Sequence, residues 1–245
     1  MRATIETTQI DRSPDASTAA DEALAVLGEW WRRLRVDHPS PPISSSHDGG
    51  TALTPLATII RTSADAERDT ALSYLRVFRD ASIDFYESEG LMRHGYWRDQ
   101  EAHHGPEYYQ IFLHTLASLQ PDDDRTVGFF RRAADFIATS AGDREPWVDE
   151  DTGMFRSLFL GSERVGEPTI NAPDHLRFAD LCLKCYRLTG FDAYRDAALR
   201  YLTRWAVPIA TASTIPAALS QYGEPLSHES LANDDYLSFV GQLLP

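Results

Sequence analysis

Two kinds of apolar pattern alternate along the chain, both at helical spacing. Between about 174 and 188 nearly every residue is apolar, and the charged residues recur at i, i+3, i+7 and i+10. This pattern predicts a largely buried helix with one polar stripe. The stripe consists of Arg177, Asp180, Lys184 and Arg187. Gly190 is predicted to end this helix in a left-handed cap, and the next segment, up to Trp205, predicts an amphipathic helix.

The same alternation recurs elsewhere in the chain. Amphipathic helices are predicted from about 16 to 36 and from about 64 to 86. A third is predicted to extend through Ile137, with Asp122, Asp123 and Asp124 at its positive end. Thr54 is predicted to cap a shorter apolar helix, with Pro55 in its first turn. The predicted apolar helices recur at intervals of roughly 50–70 residues, which is typical of a repeat architecture. They start near Thr54, Pro106, Pro173 and Glu229.

Long connections precede each apolar helix, whereas tight turns join it to the amphipathic helix that follows. The long connections are predicted at about 37–50, 87–105, 141–172 and 208–227. Because antiparallel neighbours alternate in direction, these connections should gather at one end of the molecule. The chain therefore predicts an all-α fold, namely an α/α-hairpin toroid or a partial toroid of about three and a half hairpins. A plain helical bundle and a superhelical repeat are the alternatives.

We expect residues 1–15 to form a disordered arm, because they lack hydrophobic periodicity, and residues 16–245 to form a single domain. A small β-hairpin is predicted near 147–160, with turn residues from Glu150 to Gly153 between two short apolar runs. The acidic turn also matches part of a calcium-binding loop. It lacks the third acidic position and the distal glutamate, so a tight turn is favoured.

The helix pair around Gly190 resembles a known family of helical proteins. The segments are Asp174-His175-Leu176-Arg177, then Tyr186-Arg187-Leu188-Thr189-Gly190, then Tyr194-Arg195-Asp196-Ala197-Ala198. They are similar to the recurrent inner helix, turn and outer helix of the six-hairpin glycosidase-type (α/α) toroid superfamily, and the likeness extends over about residues 51–206. The resemblance implies sugar-directed chemistry, by hydrolysis or by lyase elimination, in a cleft at the long-loop end. The chain departs from the closed ring of six hairpins, so the likeness is partial.

Composition limits the partners and the compartment. The net charge of −14 disfavours nucleic acid and anionic membrane surfaces, because both require a basic face. No apolar run approaches the roughly 18–20 residues of a membrane span, and no secretory signal is visible, so a cytoplasmic location is expected. Only Cys182 and Cys185 are present; their position inside a buried helix favours core packing over a redox pair.

Two carboxylates begin apolar helices at matching places. Glu107 follows Pro106 and Asp174 follows Pro173, and a glycosidase needs two carboxylates across a cleft. We therefore take Glu107 and Asp174 as candidate catalytic residues, assisted by His104 and His175. The competing interpretation is that both carboxylates are ordinary helix-start acids stabilised by the helix dipole. His104 precedes its helix, so the spacing required of metal ligands is not assured and no metal is expected.

Aromatic and polar residues of the long connections are candidates for substrate binding. Aromatic faces stack on sugar rings, and carboxylates bind sugar hydroxyls. The candidates are Trp97, Tyr108, Trp147, Asp99 and Glu101. For Trp147, packing of the loop against the helices competes with sugar stacking. No nucleotide-binding or nucleophile-elbow motif is present, so no cofactor is expected.

Three functions are consistent with these patterns. The first is a carbohydrate-active enzyme, a glycoside hydrolase or polysaccharide lyase, with a small-molecule or saccharide substrate. The second is a toroid cyclase or isomerase acting on a hydrophobic substrate, which would need a mouth lined by aliphatic side chains. The third is a non-catalytic interaction module. An unclosed ring would leave an apolar flank bare, and a homodimer is one way to bury it.

Overall fold

The computed structural model describes residues 14–43, 47–93, 96–97, 112–140, 145–158, 170–211 and 215–226. These residues are mostly helical, which confirms the all-α expectation. The α-helices are α1 (Pro14–Asp37), α2 (Leu56–Thr62), α3 (Asp65–Ser88), α4 (His114–Leu119), α5 (Asp124–Ala138), α6 (Leu176–Thr189) and α7 (Asp192–Thr211). The strands are β1 (Met92–Arg93), β2 (Tyr96–Trp97), β3 (Ile170–Asn171), β4 (Ala218–Ser220) and β5 (Pro225–Leu226). Two 3₁₀ helices span His47–Leu53 and Pro173–His175.

The chain divides into two compact units. Unit 1 comprises residues 1–42 and 55–78, and unit 2 comprises residues 43–54 and 79–245. The boundary falls within α3. The expectation of a single domain from 16 to 245 stays a prediction. The helix α1 begins at Pro14, slightly before the predicted start, and the preceding residues of the predicted arm lie outside the described part of the chain.

Unit 1 is organised around one buried tryptophan. Its helices α1 and α2 pack against each other. Trp31 of α1 is 1% exposed and meets the ring of Tyr74 edge-to-face, with ring centroids 5.2 Å apart. The Tyr74 hydroxyl donates to the His38 carbonyl at 3.0 Å, so the end of α1 is tied to α3. Among the described side chains of α1 only Trp31 is buried; Leu27 and Leu34, at helical spacing from it, are half-buried, and Leu24 is exposed.

In unit 2, helices α5, α6 and α7 pack on one another. Helix α6 packs against both α5 and α7, and α5 also contacts α7. Five of the eight buried positions of α5 are matched by buried positions of α7 that lie 68 residues later, as expected for a repeated unit. The matching buried pairs are Thr126 and Tyr194, Phe129 and Ala197, Phe130 and Ala198, Ala133 and Tyr201, and Ile137 and Trp205. The Tyr194 hydroxyl donates to Asp135 Oδ1 at 2.5 Å and joins the two amphipathic helices.

A buried arginine secures the start of α5. Asp123 is the N-cap residue, and its carboxylate accepts from the Thr126 backbone N–H at 2.9 Å. Arg79 of α3, which is 4% exposed, donates to Asp123 and to Thr126 Oγ1. Burial favours the neutral acid, but the hydrogen bonds from Arg79 and Thr126 outweigh it and lower the pKa of Asp123 to about 2. The predicted acidic start of this helix is therefore an ordered cap.

Three helix ends were predicted from the sequence. The structure confirms one of these predictions and shows the other two to be wrong. Gly190 caps α6 with φ 72°, as predicted. Thr54 does not cap α2, because its hydroxyl donates to the Thr51 carbonyl and Pro55 occupies the N-cap position. Helix α7 does not end at Pro208 but continues to Thr211. Pro208 is buried, so packing offsets the hydrogen bond that proline cannot donate.

Short β pairings follow each helix pair. Strands β1 and β2 pair after α3, and β4 and β5 pair after α7, both antiparallel. In the segment that follows α5, an antiparallel bridge joins Val148 to Phe155 and confirms the predicted hairpin. Its turn is held by Asp149 Oδ1, which accepts from the backbone N–H groups of Asp151 and Thr152. Strand β3 pairs with β4, so the sheet order is β3-β4-β5.

Candidate functional site

Helices α4 and α6 present polar side chains to each other. His114 Nδ1 lies 3.3 Å from Asp180 Oδ2, and Lys184 Nζ donates to Ser118 Oγ at 2.6 Å. The two contacts are separated by four residues on each helix, in the same order along the chain. The helices therefore run side by side in the same direction, because one helical turn on α4 matches one turn on α6.

The polar stripe of α6 continues towards the start of that helix. Arg177 Nε lies 3.6 Å from Asp174 Oδ1, and the Asp174 side chain is 26% exposed. Asp174, Arg177 and Asp180 follow one another at intervals of three residues, so they share one side of the helix. We call the combined surface the α4–α6 polar face. Its members are His114 and Ser118 from α4, and Asp174, Arg177, Asp180 and Lys184 from α6 and the turn before it.

His114 is neutral at physiological pH. Burial lowers the pKa of this imidazole to about 4; the Asp180 carboxylate opposes the shift, and the Lys184 ammonium adds to it. Its ring packs against Phe130 of α5 with centroids 5.1 Å apart, and its Nε2 atom is buried without a hydrogen-bond partner. His114 is therefore a neutral imidazole whose Nδ1 faces the Asp180 carboxylate and whose Nε2 is enclosed by the protein.

His175, a predicted catalytic residue, lies in the core beside this face. It is fully buried, and the Ala172 backbone N–H donates to its Nδ1 at 3.1 Å. Since Nδ1 accepts this bond, Nε2 carries the proton and donates to the Ser157 carbonyl at 3.2 Å. Burial lowers the pKa of His175 to about 4, against the opposing effect of the Ser157 and Ala172 carbonyls, which lie beside its two ring nitrogens. Its geometry ties the start of α6 to the segment after the 148–155 hairpin, and its catalytic role stays a prediction.

Asn171 also holds the 148–155 hairpin, through two hydrogen bonds to the backbone of Phe155. Its side-chain amide accepts from the Phe155 backbone N–H at 2.9 Å and donates to the Phe155 carbonyl at 3.2 Å. The Phe155 ring lies against the rings of His175, Phe178 and Tyr201, with centroid distances of 5.0, 5.2 and 4.7 Å. A cluster of aromatic rings therefore packs against the start of α6. Asp174 directly precedes one member of this cluster, His175, in the chain.

The other candidate site residues from the sequence lie either in different parts of the fold or outside the described residues. Trp147 is buried and stacks on Phe136 at 5.0 Å, so in this structure it packs the hairpin against α5. Trp97 lies in β2, opposite Met92. The other candidates lie outside the described residues: Glu107, His104, Tyr108, Asp99 and Glu101. Asp174 and His175 are therefore the only predicted catalytic residues whose surroundings the described part of the chain defines.

Sequence reasoning missed His114 and Ser118. Asp180 and Lys184 were recognised as part of a polar stripe, but nothing assigned them a partner. A signal exists, because His114 and Ser118 precede Asp180 and Lys184 by roughly 66 residues, close to the spacing of the predicted repeat. With that spacing, the polar residues at i and i+4 of α4, His114 and Ser118, match Asp180 and Lys184 in the stripe of α6.

The described part of the chain also defines the surroundings of both cysteines. In that part of the chain no three His, Cys, Asp or Glu side chains group as they would around a metal ion. Cys182 and Cys185 are fully buried, which confirms their predicted core packing, and burial raises the pKa of Cys185 to about 12. Among the helices described, none combines the length and apolarity needed to cross a membrane.

Together, the fold and the site define a class: a mostly helical protein of successive helix pairs, each followed by a short β pairing, with a polar face between two parallel helices. Comparison with protein-family models, curated proteins and solved structures finds no match to the chain.

Proposed function

We propose that this protein is a carbohydrate-active enzyme of the glycoside hydrolase or polysaccharide lyase type, acting on an acidic saccharide at the α4–α6 polar face. The observation that carries the proposal is the meeting of carboxylates, cations and a neutral histidine between two parallel helices. Arg177 and Lys184 are suited to bind the carboxylate of a uronate residue. The polarity of the face favours a saccharide over the hydrophobic substrate of a cyclase.

Asp174 and Asp180 supply the acid and base functions in this proposal. Asp174 lies in the 3₁₀ turn and Asp180 in α6, so their backbone positions are separated by roughly 10 Å, from rises of about 2.0 and 1.5 Å per residue. The proposal requires their flexible side chains to bring the carboxyl groups slightly closer than that. Inverting glycosidases use carboxyl groups about 6.5–9.5 Å apart, which leaves room for the attacking water. For elimination, a base removes the proton beside the uronate carboxylate while a cation neutralises that carboxylate; a C=C bond forms, the glycosidic C–O bond breaks, and the leaving oxygen takes a proton from a general acid or from water. In that case Asp174 is the base and Arg177 the cation.

The proposal includes the finer architecture, an α/α toroid or partial toroid. Its support is the parallel pairing of α4 with α6 and the recurrence of buried positions from α5 in α7. In such an arrangement the polar face lines the inner surface, and the β pairings after α5 and α7 stand at one end. This is where a saccharide would enter.

The first test is a screen of the full chain for binding and cleavage. The panel contains uronate-rich polysaccharides and neutral polysaccharides, with product formation followed by reducing ends and by unsaturated uronate absorbance. We expect activity on uronate-rich polymers. Asp174→Asn should lower kcat/KM by about 10²–10⁴, because a positioned proton-transfer group contributes this much.

Asp192→Asn is the matched control, because Asp192 is an exposed acid in the first turn of α7 that pairs with Arg195. This variant should keep wild-type activity, and both variants should keep the wild-type circular dichroism spectrum. Absence of binding and cleavage over the whole panel would overturn the proposal. Equal losses in both variants would remove the α4–α6 polar face from it.

A further inference from the structure

A cavity of about 510 Å³ lies between helix α7 and the turn of the 148–155 hairpin. The α7 side of this cavity carries Arg200 and Arg204, which are one helical turn apart, and the hairpin side carries Glu150 and Asp151. All four residues are exposed, so their charged groups are open to a ligand from solvent. We call this feature the α7–hairpin cavity.

The hairpin turn is fixed against α7. Asp149 Oδ1 accepts from the Asp151 backbone N–H at 3.0 Å, which holds the shape of the turn. An added Cβ atom at Gly153 would lie 3.4 Å from both the Arg200 carbonyl oxygen and Arg204 Nε. Gly153 also has a φ of 69°, a conformation that favours glycine. The turn therefore packs directly on the helix, and the two walls of the cavity have defined positions.

The four charged side chains face one cavity but do not pair. Within the part of the chain that the structure describes, none of these four side chains takes part in an ion pair or a hydrogen bond. The chain has 37 acidic and 23 basic residues, so an arginine readily finds a carboxylate, as Arg132 and Arg195 do. Two arginines and two acids that line the same cavity without meeting therefore leave both signs of charge available to a ligand.

The balance of charge distinguishes a zwitterion from a simple anion. Asp196 also lines the cavity, but its carboxylate already pairs with Arg195 at 2.7 Å. The two remaining positive charges and the two remaining negative charges cancel, and the whole chain carries −14, so an anion would meet no net attraction. A zwitterion uses both walls, because guanidinium groups bind a carboxylate through paired hydrogen bonds and carboxylates bind an ammonium group.

We propose that the α7–hairpin cavity binds a small zwitterion of the α-amino acid type. Its carboxylate contacts Arg200 and Arg204, and its ammonium group contacts Glu150 and Asp151. The volume of the cavity lies in the range of about 300–1,000 Å³ that is usual for small-molecule sites. The site is non-covalent, and the proposal is independent of the saccharide chemistry at the α4–α6 polar face.

NMR titration of the isotopically labelled full chain with the standard amino acids, added one at a time at low ionic strength, tests this proposal. We expect at least one amino acid to bind with a Kd of about 1 mM or tighter. The deaminated acid and the decarboxylated amine of that amino acid should each bind at least about tenfold more weakly, because each lacks one of the two charged contacts.

Two double variants test the two walls separately. Arg200→Gln with Arg204→Gln should weaken binding of the amino acid at least about tenfold, and Glu150→Gln with Asp151→Asn should do the same. Arg61→Gln is the matched control, since Arg61 is an exposed arginine of α2 that has no ion pair in the described part of the chain. This control should keep the wild-type affinity, and all variants should keep the wild-type circular dichroism spectrum.

Three results would count against the proposal. If none of the amino acids binds, the cavity is not a zwitterion site. Equal affinity for the amino acid and its deaminated acid would overturn the proposal, because the arginines alone would then explain binding, as for a simple anion. Unchanged affinity in either double variant would show that the corresponding wall does not contact the ligand, which is equally incompatible with the proposed site.

Discussion

At the scale of single residues, His175 links proton binding to folding. In the native protein burial lowers its pKa to about 4, whereas an unfolded histidine titrates near 6.5. Between these two values the unfolded chain binds more protons than the folded one. The free energy of unfolding therefore falls as the pH falls from about 6.5 to 4, and the contribution of His175 is fully present above that range. The loss amounts to about 3 kcal/mol at most.

This behaviour can be measured by denaturant unfolding between pH 7 and pH 4. We expect the His175→Gln variant to be less stable at neutral pH but to lose less stability on acidification than the wild type. His38→Gln, at an exposed position, should keep the wild-type slope. Asp123 titrates near 2 and contributes only below this window. Parallel wild-type and His175→Gln profiles would contradict the assignment.

At the scale of elements, glycine stabilises one helix end and weakens another helix. Gly190 ends α6 with φ 72°, a conformation that costs other residues roughly 1–2 kcal/mol. Gly128 lies inside α5, is exposed, and has no atom within 4 Å of an added Cβ. Glycine within a helix is destabilising by about 0.5–1 kcal/mol relative to alanine. The same substitution should therefore have opposite effects at the two sites.

Thermal unfolding of the two variants provides the comparison. We expect Gly190→Ala to lower the free energy of unfolding by about 1 kcal/mol and Gly128→Ala to raise it by about 0.5–1 kcal/mol. Each variant serves as the control for the other, because the chemical change is identical. Equal shifts in the same direction would show that the backbone conformation at Gly190 is not what ends α6.

At the scale of the whole molecule, the contact between Tyr194 and Asp135 joins successive helix pairs in unit 2. Burial raises the pKa of Tyr194, so its hydroxyl remains protonated and donates to the carboxylate. A hydrogen bond to a charged group contributes about 1.5–3 kcal/mol. The contact lies where the buried positions of α5 and α7 recur, so it connects one repeat to the next.

A double-mutant cycle of Tyr194→Phe and Asp135→Ala measures this connection. We expect a coupling free energy of about 1–2 kcal/mol in urea unfolding. Tyr222→Phe, at an exposed tyrosine in the β4–β5 turn, should show no coupling with Asp135→Ala. Additive effects of the first pair would mean that the two helix pairs are held together by apolar packing alone.

The sequence alone was sufficient for most features that depend on neighbours along the chain, although not for the Thr54 cap. Hydrophobic periodicity located α1, α3, α5, α6 and α7. Gly190 predicted a helix end, and the residues from Glu150 to Gly153 predicted a turn. The sequence failed for Pro208, where a signal that usually ends a helix is outweighed by burial in α7. The intrinsic preference of a residue for or against a helix contributes less to the free energy of folding than tertiary packing does.

The candidate site was determined by the tertiary structure. The sequence identified the stripe containing Asp180 and Lys184, but their partners His114 and Ser118 come from a helix roughly 66 residues earlier. Likewise, His175 is a histidine beside an acid in the sequence, and only folding places both of its nitrogens against backbone groups. Periodicity reports which face of a helix is apolar. Which polar groups meet across two helices depends on the relative register of those helices, which long-range packing fixes.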